Sequence, residues 1–339
     1  MSDAQKSTLF LHIGLHKTGT SALQQFFHDN TQQLLQQGIL YPKSGIDPRA
    51  LGHHRLMLPF IGEWVDRDKI PDYTAVINSL SAECSGHSKI LISSESFCKL
   101  SDVYMINDIL SLTDEVKVIC YFRSPLDHLL SGYAQAVKQP SFIRDIDTFA
   151  QKKKKKHGNI RLIDRWSHDS RISFIPKIYS KSAFKNNNLI HDFLDIMGLE
   201  PDAIPQVNSQ SVNVRWSIPV VHFKLAVNRS ATLSRKQNLI LKELLSDYCR
   251  KYAGKDDLAY GLLSPELKAE IINYNSAHVE RFDQQYLPGF RQVCLDDYKR
   301  HSTKKLFTGS RGSAEFQHIL NYIETENKEI FELIYNHLT

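Results

Sequence analysis

The sequence predicts an α/β fold of three layers: a central parallel sheet flanked by helices, followed by a helical C-terminal part. Three observations predict it. Four short apolar runs, Leu9–Ile13, Lys89–Ile92, Val116–Phe122 and Ile172–Ile178, alternate with stretches of helical periodicity. The runs are apolar at successive positions, as strands buried on both faces are. Polar clusters follow them at their C-terminal ends, where ligands bind in parallel sheets: Gly14–Ser21, Ser93–Ser96 and Arg123.

The elements follow in order. The first strand passes through Gly14-Leu15-His16-Lys17-Thr18-Gly19-Thr20-Ser21 into a helix expected over Ser21–Gln37, stopped near Gly38. Residues 41–70 carry Pro42, Gly45, Pro48, Gly52, Pro59 and Gly62 and read as a long irregular segment that helps form a cleft. Helices are expected over Asp72–Ser85 and Val103–Leu112 on either side of the second strand. The third strand ends at Arg123-Ser124-Pro125, and a helix follows over Leu126–Val137. Ile146–Phe149 leads into a lysine run. A helix over Ile160–Ser167, the fourth strand and a helix over Leu189–Met197, stopped by Gly198, come next.

Beyond Pro205 the chain reads as helices over Ser217–Asn228, Ser234–Tyr252 and Ser264–Phe282. From His301 a basic connector, including Gly309-Ser310-Arg311-Gly312, leads to an amphipathic stretch with Phe316, Ile319, Leu320, Ile323, Ile330, Phe331 and Ile334. The expected organisation is one α/β domain over 1–300, with a mobile lid around 140–160, then a linker and amphipathic helix over 301–339. That helix packs on the core or pairs two subunits as a homodimer.

Composition narrows the function classes. Of 339 residues, 42% are hydrophobic and 23% charged, which is ordinary for a soluble globular protein. No apolar window approaches membrane-spanning length, and residues 1–7 lack a signal-peptide core, so a cytoplasmic protein is expected. The five cysteines form no C-x-x-C pair, so neither a structural zinc site nor a disulfide framework is expected. The net charge of +5 is carried by Lys152–Lys156, and the rest of the chain is balanced. A nucleic-acid footprint would spread over a face, so nucleic acid is not expected as a partner. The lysine run reads either as solvated surface or as a lid attracting an anionic polymer or membrane surface.

The opening loop has the glycine, four residues, glycine spacing of a P-loop, which makes the expected fold P-loop-like. Thr20 stands where a nucleotide triphosphatase has lysine to reach the β- and γ-phosphates, and Lys17 sits inside the loop instead. The loop amides of Thr18 to Ser21, with the hydroxyls of Thr20 and Ser21, suit one phosphate at a helix N-terminus. Lys17 would meet the terminal group of a shorter anhydride. Arg123, with Ser131 eight residues on, suits a second and separate phosphate.

These features together resemble a family. Leu11-His12-Ile13-Gly14-Leu15-His16-Lys17-Thr18-Gly19-Thr20-Ser21-Ala22-Leu23-Gln24 looks like the 5′-phosphosulfate loop of sulfotransferases that use 3′-phosphoadenosine 5′-phosphosulfate (PAPS). Tyr121-Phe122-Arg123-Ser124-Pro125, with Ser131 and Tyr133, is similar to their 3′-phosphate motif. The resemblance is closest to bacterial members and the carbohydrate (heparan-type) branch, and it runs loosely from residue 8 to 290. It implies that Lys17 touches the bridging and sulfonate oxygens, and that Gly19, Thr20 and Ser21 hold the 5′-phosphate. It further implies that Arg123 and Ser131 hold the 3′-phosphate, that the product is 3′,5′-ADP (PAP) and that no metal takes part; a saccharide or glycolipid is the expected acceptor, and an amine, a lipid and a peptide tyrosine stay open as alternatives.

The acceptor must lose a proton, which needs a base. Glu95 resembles the catalytic glutamate of the carbohydrate branch, although that branch follows it with lysine where Ser96 stands here. His53 and His54 are rival bases, since histidine titrates near neutrality. His16 and His12 belong to the loop and strand and position it, with His16 counted among the donor-binding residues. Tyr179 is a candidate wall of the adenosine site. Asn208 to Trp216, with Asn213 and Arg215, resembles the cofactor-covering loop of bacterial members. Two alternatives stand beside a sulfotransferase: a P-loop small-molecule kinase, and a non-catalytic PAP-binding protein.

Overall fold

A computed structural model describes residues 6–61, 72–153, 159–204, 214–252, 260–309 and 311–338. The chain divides into two compact units. The first comprises residues 1–123, 158–212 and 284–288; the second comprises 124–157, 213–283 and 289–339.

The first unit is built on β1 (Thr8–Gly14), β2 (Lys89–Ser93), β3 (Glu115–Phe122) and β4 (Ile172–Ile178). They form one sheet in the order β2-β1-β3-β4 with every pair parallel, so the four predicted strands are those observed. Side chains alternate between the faces. Phe10, Leu91, Ile119 and Tyr121 pack on one side against α1 (Thr20–Asp29) and the helix Leu189–Ile196, through Leu23, Phe26, Phe27, Phe193 and Leu194. The residues between them, Leu9, Leu11, Ile90, Ile92, Val116 and Val118, are also fully buried. Both faces of β1, β2 and β3 are covered, which is why their runs are largely apolar, whereas the edge strand β4 is only partly buried and carries Ser173, Pro176 and Lys177.

The helix expected over 21–37 is broken into α1 and Thr31–Gln36. Asn30 Nδ2 donates to the Phe26 carbonyl at 2.8 Å and Thr31 Oγ1 to that of His28 at 2.8 Å. The Phe26 carbonyl also keeps the Asn30 N–H at 3.1 Å, while Thr31 occupies the His28 carbonyl that a continuing helix would use. The helix expected over 103–112 is likewise two short turns, Val103–Ile106 and Asn107–Leu110.

The second unit is helical. It holds Pro125–Val137, Ile146–Lys153, Ile218–Ser230, Arg235–Tyr252, Pro265–Gln285, Phe290–Ser302, Ala314–Glu326 and Lys328–Leu338. The division differs from the domain boundary expected near 300. Phe316, Ile319, Leu320, Ile323, Ile330, Ile334 and Leu338 lie in the same apolar core as Val220, Phe223 and Leu241. The 301–339 segment is thus an integral part of this unit. Its expected single amphipathic helix is two, and their apolar residues are buried within the chain. Residues 154–158 of the expected lid, with Lys154 to Lys156, lie outside the described residues, while Lys152 is exposed at the end of its helix. No described helix is long and apolar enough to cross a membrane.

Inside this unit a fully buried Lys224 hydrogen-bonds to Asn228 Oδ1. Asn228 Nδ2 lies 2.9, 2.9 and 2.8 Å from the carbonyls of Val137, Gln139 and Phe142. Burial, with a smaller effect of Lys242, lowers the Lys224 ammonium to about 8. Replacing Asn228 by alanine strips a buried ammonium of its acceptor and strands buried carbonyls. The expected cost is about 2–4 kcal/mol. Urea unfolding of Asn228→Ala checks it, and a loss under about 0.5 kcal/mol contradicts it.

Candidate functional site

All four strands of the first unit end in the same polar cluster. From β1 comes the loop Leu15–Gly19; from β2, Ser94 and Glu95; from β3, Arg123; from β4, Tyr179. This is the edge at which a parallel sheet collects ligands.

The loop turns within a few residues from strand to helix, with positive φ at Gly14 (109°), Lys17 (68°) and Gly19 (76°). At Gly14 an added β-carbon would lie 3.0 Å from Glu95 Cβ. Gly19 is the residue before α1, and no side chain caps that helix. The first amides of a helix lack partners within it, so those of Thr20 and Ser21 point outward at the loop. Thr18 turns inward, its hydroxyl donating to the Leu15 carbonyl at 2.6 Å. Arg123 Nη1 donates to the Lys17 carbonyl at 2.8 Å, and the guanidinium lies 5.3 Å from the centre of the Tyr179 ring.

Glu95 opens the short 3₁₀ turn Glu95–Lys99 after β2, with Ser94 capping it. Gln24 Nε2 donates to Glu95 Oε2 at 3.1 Å and to Ser93 Oγ at 3.3 Å. His16 Nδ1 and His54 Nε2 each stand 3.9 Å from a Glu95 oxygen. Burial raises the carboxyl, but His54, the turn's own amide, Gln24 and His16 outweigh it, so Glu95 sits below the usual range. It is ionised at neutral pH. Lys17 is lowered by burial and by Arg123, against the opposing pull of Glu95. His16 is lowered by burial, with Lys99 and Lys17 acting in the same direction and Glu95 opposing.

The two rival histidines separate. His54 Nδ1 bonds to Ser94 Oγ at 2.7 Å, and its Nε2 faces Glu95. His53 is fully buried, and both its nitrogens are taken: Ser93 N–H donates to Nδ1 at 3.1 Å, and Nε2 donates to the Pro42 carbonyl at 2.9 Å. An amide can only donate and a carbonyl only accept, so this ring is held in one neutral tautomer. His53 is therefore corrected from candidate base to structural clamp. It holds the 52–57 segment on the end of β2 and so sets His54 beside Glu95.

The other expected residues belong to the second unit or lie outside the described residues. Ser131 belongs to the second unit, half-buried in Pro125–Val137, and Tyr133 there donates to the Arg144 carbonyl at 3.2 Å. Arg215 is exposed in that unit, and Asn213 lies outside the described residues. The expected cleft segment is described as far as 61. Gln24 had no assigned role in the sequence. Its position offered a signal: it shares the buried face of α1 with Thr20, Leu23 and Phe27, where an amide needs a partner.

No family model matches this chain. A protein of Archaeoglobus fulgidus, described as uncharacterized, is 33% identical over 247 residues, which cover 70% of this chain and 57% of the relative. The chain thus spans less than two thirds of that relative's length. Among solved structures, a sulfotransferase from Alicyclobacillus acidocaldarius superposes with a TM-score of 0.45 and 12% identity, over 86% of this chain and 98% of that one. That superposition is too loose to carry an argument.

Two stability outcomes follow from this geometry. Gly19→Ala places a β-carbon 2.3 Å from Leu189 Cδ2 and 3.1 Å from the Tyr179 ring at a positive φ. It is expected to cost about 1–3 kcal/mol in urea unfolding. His12 and His53, both buried, are lowered by desolvation to about 4 from 6.5. Below pH 6.5 the unfolded chain takes up protons that the folded chain refuses. Their contribution is therefore complete above 6.5 and is lost as pH falls toward 4. Each is expected to remove about 2 kcal/mol between pH 7 and pH 5. His53→Gln should flatten that slope, and an unchanged slope contradicts the assignment.

Proposed function

We propose that the protein is a PAPS-dependent sulfotransferase acting on a hydroxyl or amine of a saccharide or glycolipid. One observation carries the reading. An uncapped helix N-terminus, a lysine inside the loop and an ionised glutamate meet at one sheet edge, with an arginine at the next strand end. Thr20 in place of the triphosphatase lysine speaks against ATP as donor.

The residues present fit the donor. The amides of Thr20 and Ser21 would hold the 5′-phosphate, Arg123 the 3′-phosphate, and Tyr179 an edge of the adenosine. Ser131, Asn213 and Arg215 are proposed as further donor contacts. When bound, the donor supplies an activated sulfonate on a phosphate leaving group. Glu95 takes the proton of the acceptor as its oxygen or nitrogen bonds to sulfur. Lys17 and the loop amides hold the charge that collects on the phosphate as the old S–O bond breaks. His54, His16 and Gln24 keep Glu95 ionised for that step.

A shallow hollow lined by Met57, Phe60, Lys99, Leu100, Ser101 and Met105 adjoins the segments that carry His54 and Glu95. We place part of the acceptor there. We also propose a peripheral role for Lys152–Lys156 in drawing an anionic acceptor or surface.

3′,5′-ADP should raise the melting temperature more than 5′-AMP; an equal response, or Mg²⁺-dependent ATP consumption, overturns the reading. Once glycan screening with labelled PAPS supplies an acceptor, Lys17→Ala is expected to lower turnover roughly 10³-fold. Glu95→Gln should lower it by roughly 10²–10⁴ while leaving 3′,5′-ADP affinity intact. Binding of 3′,5′-ADP with no transfer to any acceptor would instead mark a non-catalytic binding protein.

A further inference from the structure

Lys17 holds a backbone conformation that side-chain-bearing residues rarely adopt, at φ 68°. Such a conformation persists when its surroundings over-determine it. On the inner side, the Thr18 hydroxyl closes the loop on the Leu15 carbonyl. On the outer side, the carbonyl of Lys17 itself is gripped by Arg123 Nη1 at 2.8 Å, from a residue 106 positions away. Arg123 is in turn seated on the Tyr179 ring at 5.3 Å. That ring also borders the loop, since a β-carbon on Gly19 would lie 3.1 Å from its Cε2. The Tyr179 N–H donates to the Phe122 carbonyl at 2.7 Å, which fixes the ring's strand to the residue just before Arg123.

We propose that Arg123 is a positioning residue for Lys17. Its guanidinium sets the backbone of the 5′-phosphate loop, so recognition of a 3′-phosphate and aim of the loop lysine pass through one side chain. This rests on the reading that the loop holds the donor's 5′-phosphosulfate. A guanidinium is a planar fork of five N–H donors, able to serve a carbonyl and a phosphate from different edges. Placing the Lys17 carbonyl on one of them ties the two ends of a bisphosphorylated donor together. A donor lacking the 3′-phosphate would meet the same loop, still held by Arg123.

The test is a cycle in which both the residue and the phosphate are removed. Wild type, Arg123→Ala and Arg123→Lys are titrated calorimetrically as full chains with 3′,5′-ADP and with 5′-AMP. If Arg123 also positions the loop, Arg123→Ala weakens 5′-AMP about tenfold or more, although 5′-AMP has no 3′-phosphate to lose, and Arg123→Lys restores part of that affinity. If Arg123→Ala leaves 5′-AMP unchanged and weakens 3′,5′-ADP alone, Arg123 reads phosphate only and the proposal is overturned.

A second arm needs no nucleotide. In the ligand-free protein, hydrogen exchange of the peptide spanning 14–20 should speed up about tenfold in Arg123→Ala, with the melting temperature within a few degrees of wild type. Unchanged exchange overturns the proposal. Wild type that fails to distinguish 3′,5′-ADP from 5′-AMP defeats the sulfotransferase reading, while the exchange arm still decides the role of Arg123.

Discussion

Within a few residues the chain must leave β1, reverse and enter α1, and the remainder of the site depends on how that turn is made. Gly14, Lys17 and Gly19 all take positive φ, which brings the loop backbone close to Glu95 on one side and to Tyr179 on the other. With Gly19 rather than a capping side chain before the helix, the first amides of α1 stay available to an anion. A longer loop would relieve the backbone but would move Lys17 away from both Glu95 and Arg123. The tightness of the turn makes one cluster out of residues from four separate strand ends.

Charge within the cluster is balanced around Glu95. Burial alone would raise its carboxyl, yet two histidines, a glutamine amide and the amide of its own turn hold it ionised. Gln24 does more than donate to this carboxylate. Its amide reaches Ser93 as well, and Ser93 Oγ bonds to the buried His12 at 2.9 Å, so Glu95 is tied to α1, β1 and β2 together. These bonds fix the carboxylate's position, while His12 Nε2 and His16 Nε2 are buried without a hydrogen-bond partner. Rigidity suits the role of base proposed for Glu95, which would meet an acceptor proton within hydrogen-bond reach. Carboxylates placed this way lose basicity and gain a defined position, and the nearby Lys17 ammonium places opposite charge close to the same point.

Much of the first unit was legible in the chain. Its first three strands are buried on both faces, which writes them as largely apolar runs, and the glycines mark backbone conformations that other residues avoid. Helix continuity was less legible. Thr31 occupies the His28 carbonyl that a continuing α1 would use, a choice that periodicity does not record. The C-terminal helices were read as amphipathic, but their burial in one core with Val220 and Phe223 depends on residues a hundred positions earlier. Phe290–Ser302 escaped notice because little of it is buried: Phe290, Cys294 and His301.

For the site, the sequence by itself determined the kinds of groups present and their order: a glycine loop with lysine at 17, a carboxylate after the second strand, an arginine after the third. Those follow from local chemistry, since strand, turn and helix are specified within a few residues. Only the tertiary structure decided which partners each group meets. The adjacent histidines 53 and 54 look alike in the chain, yet one has both nitrogens committed to backbone groups and the other faces Glu95. Gln24 and Arg123 likewise take their meaning from partners about seventy and about a hundred residues distant. Hydrogen bonds act over about 3 Å, and distances of that order between remote residues are set by how the sheet brings the strand ends together.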